Sequence, residues 1–237
     1  MFKIISKLIR YPNRFLIKLK FLKQKKLNDK FSIIYKKNYW DDQESISGPG
    51  SSIKNTKNLR SMLKKILNKY KIKTILDAPC GDCNWIKFIF KEKKIKYVGA
   101  DIVKECIDDN KTRFKNKNLE FIQMDITRDK LPLSDLLICR DFMFHLSFKD
   151  NYRFLKNIKK INSKYILISS HSKNKSSNIN NKDIKSGDFR KINLFESPFN
   201  FNTNYKMAIK DYCDGVEKYL ILFEKKEYKK FFECMKI

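Results

Sequence analysis

The stretch "TILDAPCGDCNWI", residues 74–86, decides how the whole chain reads. It opens as a short apolar run of strand type, turns through one proline, one glycine and two cysteines, and leaves in helical pattern. Two chemistries compete for such a turn. Cys80 and Cys83 form a CxxC of zinc or redox type. Alternatively, the turn is a nucleotide-binding one with fewer glycines than the GxGxxG fingerprint, since only Gly81 stands in it.

The flanking sequence separates the two. Strand-type runs recur at "KTILDA" (73–78), "KYVGAD" (96–101), "LEFIQMD" (119–125), "DLLICRD" (135–141) and "KYILISS" (164–170), with helical patterns at 84–92, 103–114 and 148–161. This alternation predicts an α/β fold with a doubly wound, mostly parallel sheet. Two further strands are expected near 204–211 and 216–224, joined at "CDG" as an antiparallel hairpin. Upstream, apolar residues from Ile53 to Leu67 repeat at helical spacing, predicting a helix over 53–70 capped by Ser51 or Ser52. Residues 171–187 read as a mobile surface loop, and the tail as a short final helix.

Residues 1–30 form a basic extension with one acid, Asp29, and Pro12 dividing two helical pieces. Residues 31–237 then form the main domain. The extension suits an anionic membrane surface or a partner, or a helical lead-in packed on the domain. The net charge of +27 points toward phosphate backbones or anionic surfaces. However, Lys is spread through every segment and Arg is scarce, which A/T-rich codon usage also produces. Six scattered cysteines and no secretory cleavage site fit reduced thiols and a cytoplasmic protein, at most peripheral to the inner face of a membrane. No apolar run approaches the ~20 residues of a membrane span.

Three acids close three successive predicted strands. Asp77 is placed to face the cationic end of S-adenosylmethionine, Asp101 to accept both ribose hydroxyls, and Asp125 to accept the adenine amine, with Met124 and Ile126 on the ring. A single strand-end Asp is ordinarily a cap, but three in series define a nucleoside-type site. Around it are expected Ala78, Pro79, Gly81, Asp82, Trp85, Ile102 and Arg140. A zinc site would need a second ligand pair, and neither His145 nor His171 has a close Cys partner, so no metal is expected.

On these residues the chain resembles the class I S-adenosylmethionine-dependent methyltransferases. More narrowly it resembles a bacterial and phage subgroup marked by "DAPCGD-x-NW", "YW…ES-x-SGPGSS", "CRD…HLSF" and "SGDFR…NL…PFNF", over roughly residues 31–224. The resemblance implies a Rossmann-like sheet of seven strands with a reversed last hairpin. It also implies an association with surface-glycan assembly, hence O-methylation of a sugar or small glycan-related acceptor in polysaccharide biosynthesis. Pro79 and Cys83 stand where that family most often has glycine.

An oxygen acceptor must lose a proton, so a base is expected past the fourth strand. Asp141 and His145, four apart, would share a helical face, with His145 as base and Asp141 fixing its tautomer. Arg190 and Asp188 are expected to bind the acceptor, Phe189, Phe199 and Phe201 to wall it, and Ser47, Gly48 and Ser51 to fold over the cofactor. His171 is a second catalytic candidate. The rival functions are an RNA or DNA methyltransferase and a non-catalytic membrane-surface module. The first lacks a further nucleic-acid module and the Asn/Asp-Pro-Pro-Tyr signature.

Overall fold

The structure is a computed structural model and describes residues 12–91, 95–175, 177–213 and 215–228. The piece before Pro12, Asp214 of the "CDG" turn, Cys234 and the end of the tail lie outside these residues. Among the described residues three helices precede the sheet: α1 (Pro12–Lys23), α2 (Leu27–Lys36) and α3 (Lys57–Lys69). Then follow β1 (Thr74–Asp77), β2 (Lys96–Asp101), α4 (Lys104–Arg113), β3 (Leu119–Gln123), β4 (Leu136–Cys139), α5 (Phe148–Ile158), β5 (Tyr165–Ser170), β6 (Met207–Cys213) and β7 (Val216–Glu224).

The seven strands lie in the order β3-β2-β1-β4-β5-β7-β6. β1 to β5 pair in parallel, and β7 pairs antiparallel with both β5 and β6. This is the expected Rossmann-like sheet with its reversed last hairpin. Both faces are covered, which explains the unbroken apolar run Leu136-Leu137-Ile138-Cys139. Leu137 and Cys139 pack with Phe154, Leu155 and Ile158 of α5, while Leu136 and Ile138 pack with Leu59, Leu63 and Ile66 of α3. All are buried.

Several expectations are corrected. The helix at 84–92 is a single 3-10 turn, Ile86–Ile89. The helix expected from residue 53 begins at Lys57, after a 3-10 turn at Pro49–Ser51. Thr56 precedes it without a side-chain cap, because Thr56 Oγ1 donates back to the Ser52 carbonyl instead. Pro12 is the first described residue of α1, so the expected division at Pro12 lies at the edge of the described residues. A break that was not expected falls at 24–26, and α2 runs through residue 30. Phe21 is buried, and Lys30 Nζ caps the end of α1 by donating to the Phe21 and Leu22 carbonyls. The 171–187 segment is irregular and pinned: Asn181 Nδ2 donates to the Asn193 and Ser197 carbonyls, each at 2.8 Å.

Candidate active site

A cavity of about 450 Å3 opens where the strand order reverses, beyond the carboxyl ends of β1, β2 and β4. Pro79, Gly81 and Trp85 of the opening stretch line it, with Asp101 and Ile102. Gly81 is forced by geometry. It has φ +54, and a Cβ there would lie 2.2 Å from Ser47 Oγ. Its N–H donates to Asp101 Oδ2 at 3.1 Å, and the Val103 N–H donates to Oδ1 at 3.0 Å. Burial pushes the Asp101 carboxyl up, and these backbone donors pull it back. Asp101 lines the cavity, and a carboxylate has acceptor capacity beyond these N–H donors, which is what ribose hydroxyls require.

A narrow apolar slot continues past Asp101, walled by Phe31, Ile102, Met124, Ile126 and Phe142 and edged by Asp125. Its lining, apolar side chains with an acid at the edge, is of the kind that contacts an adenine ring. Asp125 Oδ1 is taken by the Thr127 N–H and hydroxyl, so the acid closes its own turn as well as edging the slot. Sequence reasoning passed over Phe31 and Tyr35, which put α2 on the cavity wall.

Three expected cofactor contacts lie elsewhere. Asp77 is off the cavity wall, beneath the turn, accepting the Tyr97 hydroxyl at 2.7 Å; burial pushes its carboxyl up to about 7. Ala78 is buried backbone joined to β4, its N–H donating to the Ile138 carbonyl. Asp82 points back at the preceding loop, accepting from Ser45 Oγ, Ser47 Oγ and the Ile46 N–H. It staples Ser47, Gly48 and Ser51 over the cavity they line.

Arg140 lines the cavity, but its donors are engaged. They reach Asp211 (3.0 and 3.2 Å), the Gly50 carbonyl (2.7 Å) and Ser51 Oγ (3.4 Å), with Asp141 at 3.2 Å, and the guanidinium stacks over Trp85. Lys218 of β7 completes a network by pairing with Asp141 and Asp211. Asp211 and Lys218 were not anticipated. Nothing in β6 or β7 marks them as partners of a residue after β4 until the sheet order is known.

The Asp141–His145 pairing is also corrected. The chain there makes a 3-10 turn, Met143–His145, and Asp141 adopts φ +55 with its carboxylate on Lys218, Arg140 and Ser169. Burial opposes its ionisation, yet Arg140 and Lys218 hold the Asp141 carboxyl well below the usual range. His145 instead sets Nδ1 2.9 Å from the Asp188 carbonyl oxygen. That oxygen only accepts, so Nδ1 bears the proton and Nε2 carries the lone pair. The ring packs on Trp40 and Phe144 at the cavity wall, and burial pulls its pKa down to about 4.

His171 has the opposite tautomer. Its Nδ1 accepts the Ile192 N–H at 3.1 Å, leaving the proton on Nε2, and burial lowers its pKa to about 4. It lines the same cavity, and Phe144 and Phe189 contact both rings. Arg190 is absent from the wall. It donates to the Leu146 and Met143 carbonyls at 2.5 and 3.4 Å and stacks on Phe148, holding the turn that carries His145. Asp188 pairs with Lys18, and Phe199 and Phe201 are core residues.

The CxxC cysteines are buried in the turn, and burial pushes the Cys80 thiol far above its ordinary value. Among the described residues no group of three His, Cys, Asp or Glu could hold a metal ion, and no helix is long and apolar enough to cross a membrane.

Residues 75–164 match the family described as "Methyltransferase domain". A comparison with curated proteins finds no match. Among solved structures the chain is similar to PigF bound to SAH, at 13% identity and TM-score 0.57, covering 82% of this chain and 62% of that one. Human N-acetylserotonin methyltransferase in complex with SAM is 14% identical, with TM-score 0.51 over 82% of this chain and 58% of that one. The N-terminal domain of EvdMO1 with SAH and D-fucose is 14% identical, with TM-score 0.50 over 70% and 82%. The chain thus spans about three-fifths of the length of the first two.

The domain match, on a sheet of this strand order, marks an S-adenosylmethionine-dependent methyltransferase. Its methyl donor is S-adenosylmethionine, and the Asp101 carboxylate beside apolar walls is of the chemistry that an adenosyl group calls for.

Proposed function

We propose that the chain methylates a hydroxyl oxygen of a small, sugar-like acceptor. The observation that carries this is the tautomer of His145, whose Nδ1–H is spent on the Asp188 carbonyl while Nε2 keeps its lone pair, on a ring at the cavity wall. S-adenosylmethionine, when bound, supplies an electrophilic methyl group. His145 Nε2 takes the acceptor's hydroxyl proton as the oxygen gains the methyl. His171 Nε2–H donates to a neighbouring acceptor oxygen and so orients it. An amine acceptor matches this donor–acceptor pair less well, because its hydrogens have no partner on His171.

Trp40, Phe144 and Phe189 give the cavity the aromatic walls that suit the apolar face of a sugar ring. EvdMO1, a structural relative, is crystallised with D-fucose. The narrower subgroup resemblance, with its glycan-assembly context, points the same way. Asp101 holds the ribose, and Trp85 and the Ser47–Ser51 loop cover the remainder of the donor.

The test is incubation of the full chain with methyl-labelled S-adenosylmethionine and a panel of monosaccharides and nucleotide sugars. The expected result is labelled methyl ether on a sugar oxygen, abolished by His145→Gln. Label recovered on nitrogen, or full transfer by His145→Gln, would overturn the proposal.

A further inference from the structure

The first described helix presents a face that the catalytic reading does not use. Phe21 of α1 is buried, whereas Phe15, Leu16 and Leu19 are 65%, 54% and 39% exposed. At the α-helical pitch, Phe15, Leu19, Lys23, Leu16 and Lys20 share an arc of about 140°, centred opposite Phe21. Three large apolar side chains therefore alternate with two lysines on the outward face. The helix also carries Arg14 and Lys18 and has no acidic residue. The chain around it bears a net charge of +27.

We infer that this face of α1 docks on an anionic phospholipid surface. A helix lying in the interface plane places apolar side chains among the acyl chains and leaves lysines at the headgroups. The mixed arc is built for that layered environment, and the absence of acids on α1 gives it charge complementarity to anionic headgroups. The pull adds to a modest apolar area, so both contributions are needed for binding.

The docking face is coupled to the site by its own helix. Arg14 lines the cavity, and Lys18 pairs with Asp188, whose carbonyl oxygen orients His145. Arg14 lies with Phe21 on the side of α1 away from the docking arc, so docking sets one helix between the lipid surface and the cavity, a placement for an acceptor carried on a lipid. That consequence rests on the proposed methyl transfer, whereas the docking itself does not.

The test uses the full chain and sedimentation with two kinds of vesicle: phosphatidylglycerol with phosphatidylcholine in equal parts, and phosphatidylcholine alone. At an ionic strength of about 0.1 M, binding to the anionic vesicles should exceed binding to the neutral ones tenfold or more. The triple variant Phe15→Glu, Leu16→Glu, Leu19→Glu should lose at least tenfold, and Lys20→Glu with Lys23→Glu a comparable factor. Both variants alter exposed positions and should bind S-adenosylhomocysteine as the wild type does, which separates lost docking from lost folding. Equal binding to both vesicles, no binding, or undiminished binding by the triple variant would overturn the inference. So would a dimer in vesicle-free solution that the triple variant abolishes, since the face would then be covered by a second copy.

Discussion

His145 Nδ1 stands 2.9 Å from the backbone carbonyl oxygen of Asp188, and this hydrogen bond assigns the free lone pair of the ring to Nε2. His145→Ala should therefore slow methyl transfer ~10²-fold or more while leaving cofactor affinity within twofold, because the ring is placed for proton removal. Titration calorimetry with S-adenosylhomocysteine beside steady-state rates checks both halves. Equal loss of binding and rate would make the residue structural.

The two histidines also set a pH dependence. Burial lowers both folded pKa values to about 4 from an ordinary 6.5. As pH falls below about 6.5 the unfolded chain takes up these protons first, so their contribution weakens stability between 6.5 and 4. Asp77, pushed up to about 7, acts oppositely: it loses stability as pH rises through that value. The informative comparison is thus His145→Gln against wild type in denaturant melts, where the variant should fall less steeply from pH 6.5 to 4. The wild-type rate should stay level from neutral pH down to about 4. A wild-type rate inflection near 6.5 would contradict the buried neutral ring.

Asp101→Ala removes a carboxylate that lines the cavity and holds the Gly81 and Val103 N–H groups. Binding of S-adenosylhomocysteine should weaken by about 1.5–3 kcal/mol, the scale of hydrogen bonds to a charged group. Calorimetric affinity unchanged within a factor of two would remove Asp101 from the ribose site.

Gly81→Ala should destabilise by more than the ~1–2 kcal/mol of a left-handed non-glycine residue, because its Cβ also meets Ser47 Oγ at 2.2 Å. Adding Ser47→Ala removes that atom and should return about 1 kcal/mol or more of the loss, a positive coupling in a double-mutant cycle. Strictly additive unfolding free energies would show that the loop moves away freely.

How much of this was legible in the sequence follows from what each residue type advertises locally. Strand runs ending in Asp77 and Asp101 announce both sheet and cofactor end, since period and position suffice. Direction is not announced. Asp82 and Asp101 look alike in sequence, yet one turns back to Ser45 and the other to the cavity. Arg190, Phe199 and Phe201 have the composition of a binding wall, but long-range packing buries them away from it. Asp211 meets Arg140, and Lys218 meets Asp141, only because β7 inserts between β5 and β6. The segment 84–92 has a helical pattern, but only Ile86–Ile89 completes a turn there.

Lys218 is the sharpest consequence of that long-range assembly. Its ammonium, with Arg140, balances the carboxylates of Asp141 and Asp211 in a neutral quartet, in which Asp141 is partly exposed and the other three are buried. Lys218→Met keeps most of the side-chain volume but leaves two anions facing one cation. The expected loss is about 3–5 kcal/mol at neutral pH, the cost of breaking a buried pair from one side. Because Asp141 is held below its ordinary value of 3.8 in the wild type, it contributes stability above that value and loses it as pH falls. In Lys218→Met the Asp141 carboxyl should rise, flattening that acid-side loss. Lys218→Met with Asp141→Asn should recover more than half of the neutral-pH deficit, since the remaining Arg140 and Asp211 again balance. Urea melts across pH 3–7 read all three. A double variant no more stable than Lys218→Met would show that the lysine acts through packing against Phe144 rather than through charge.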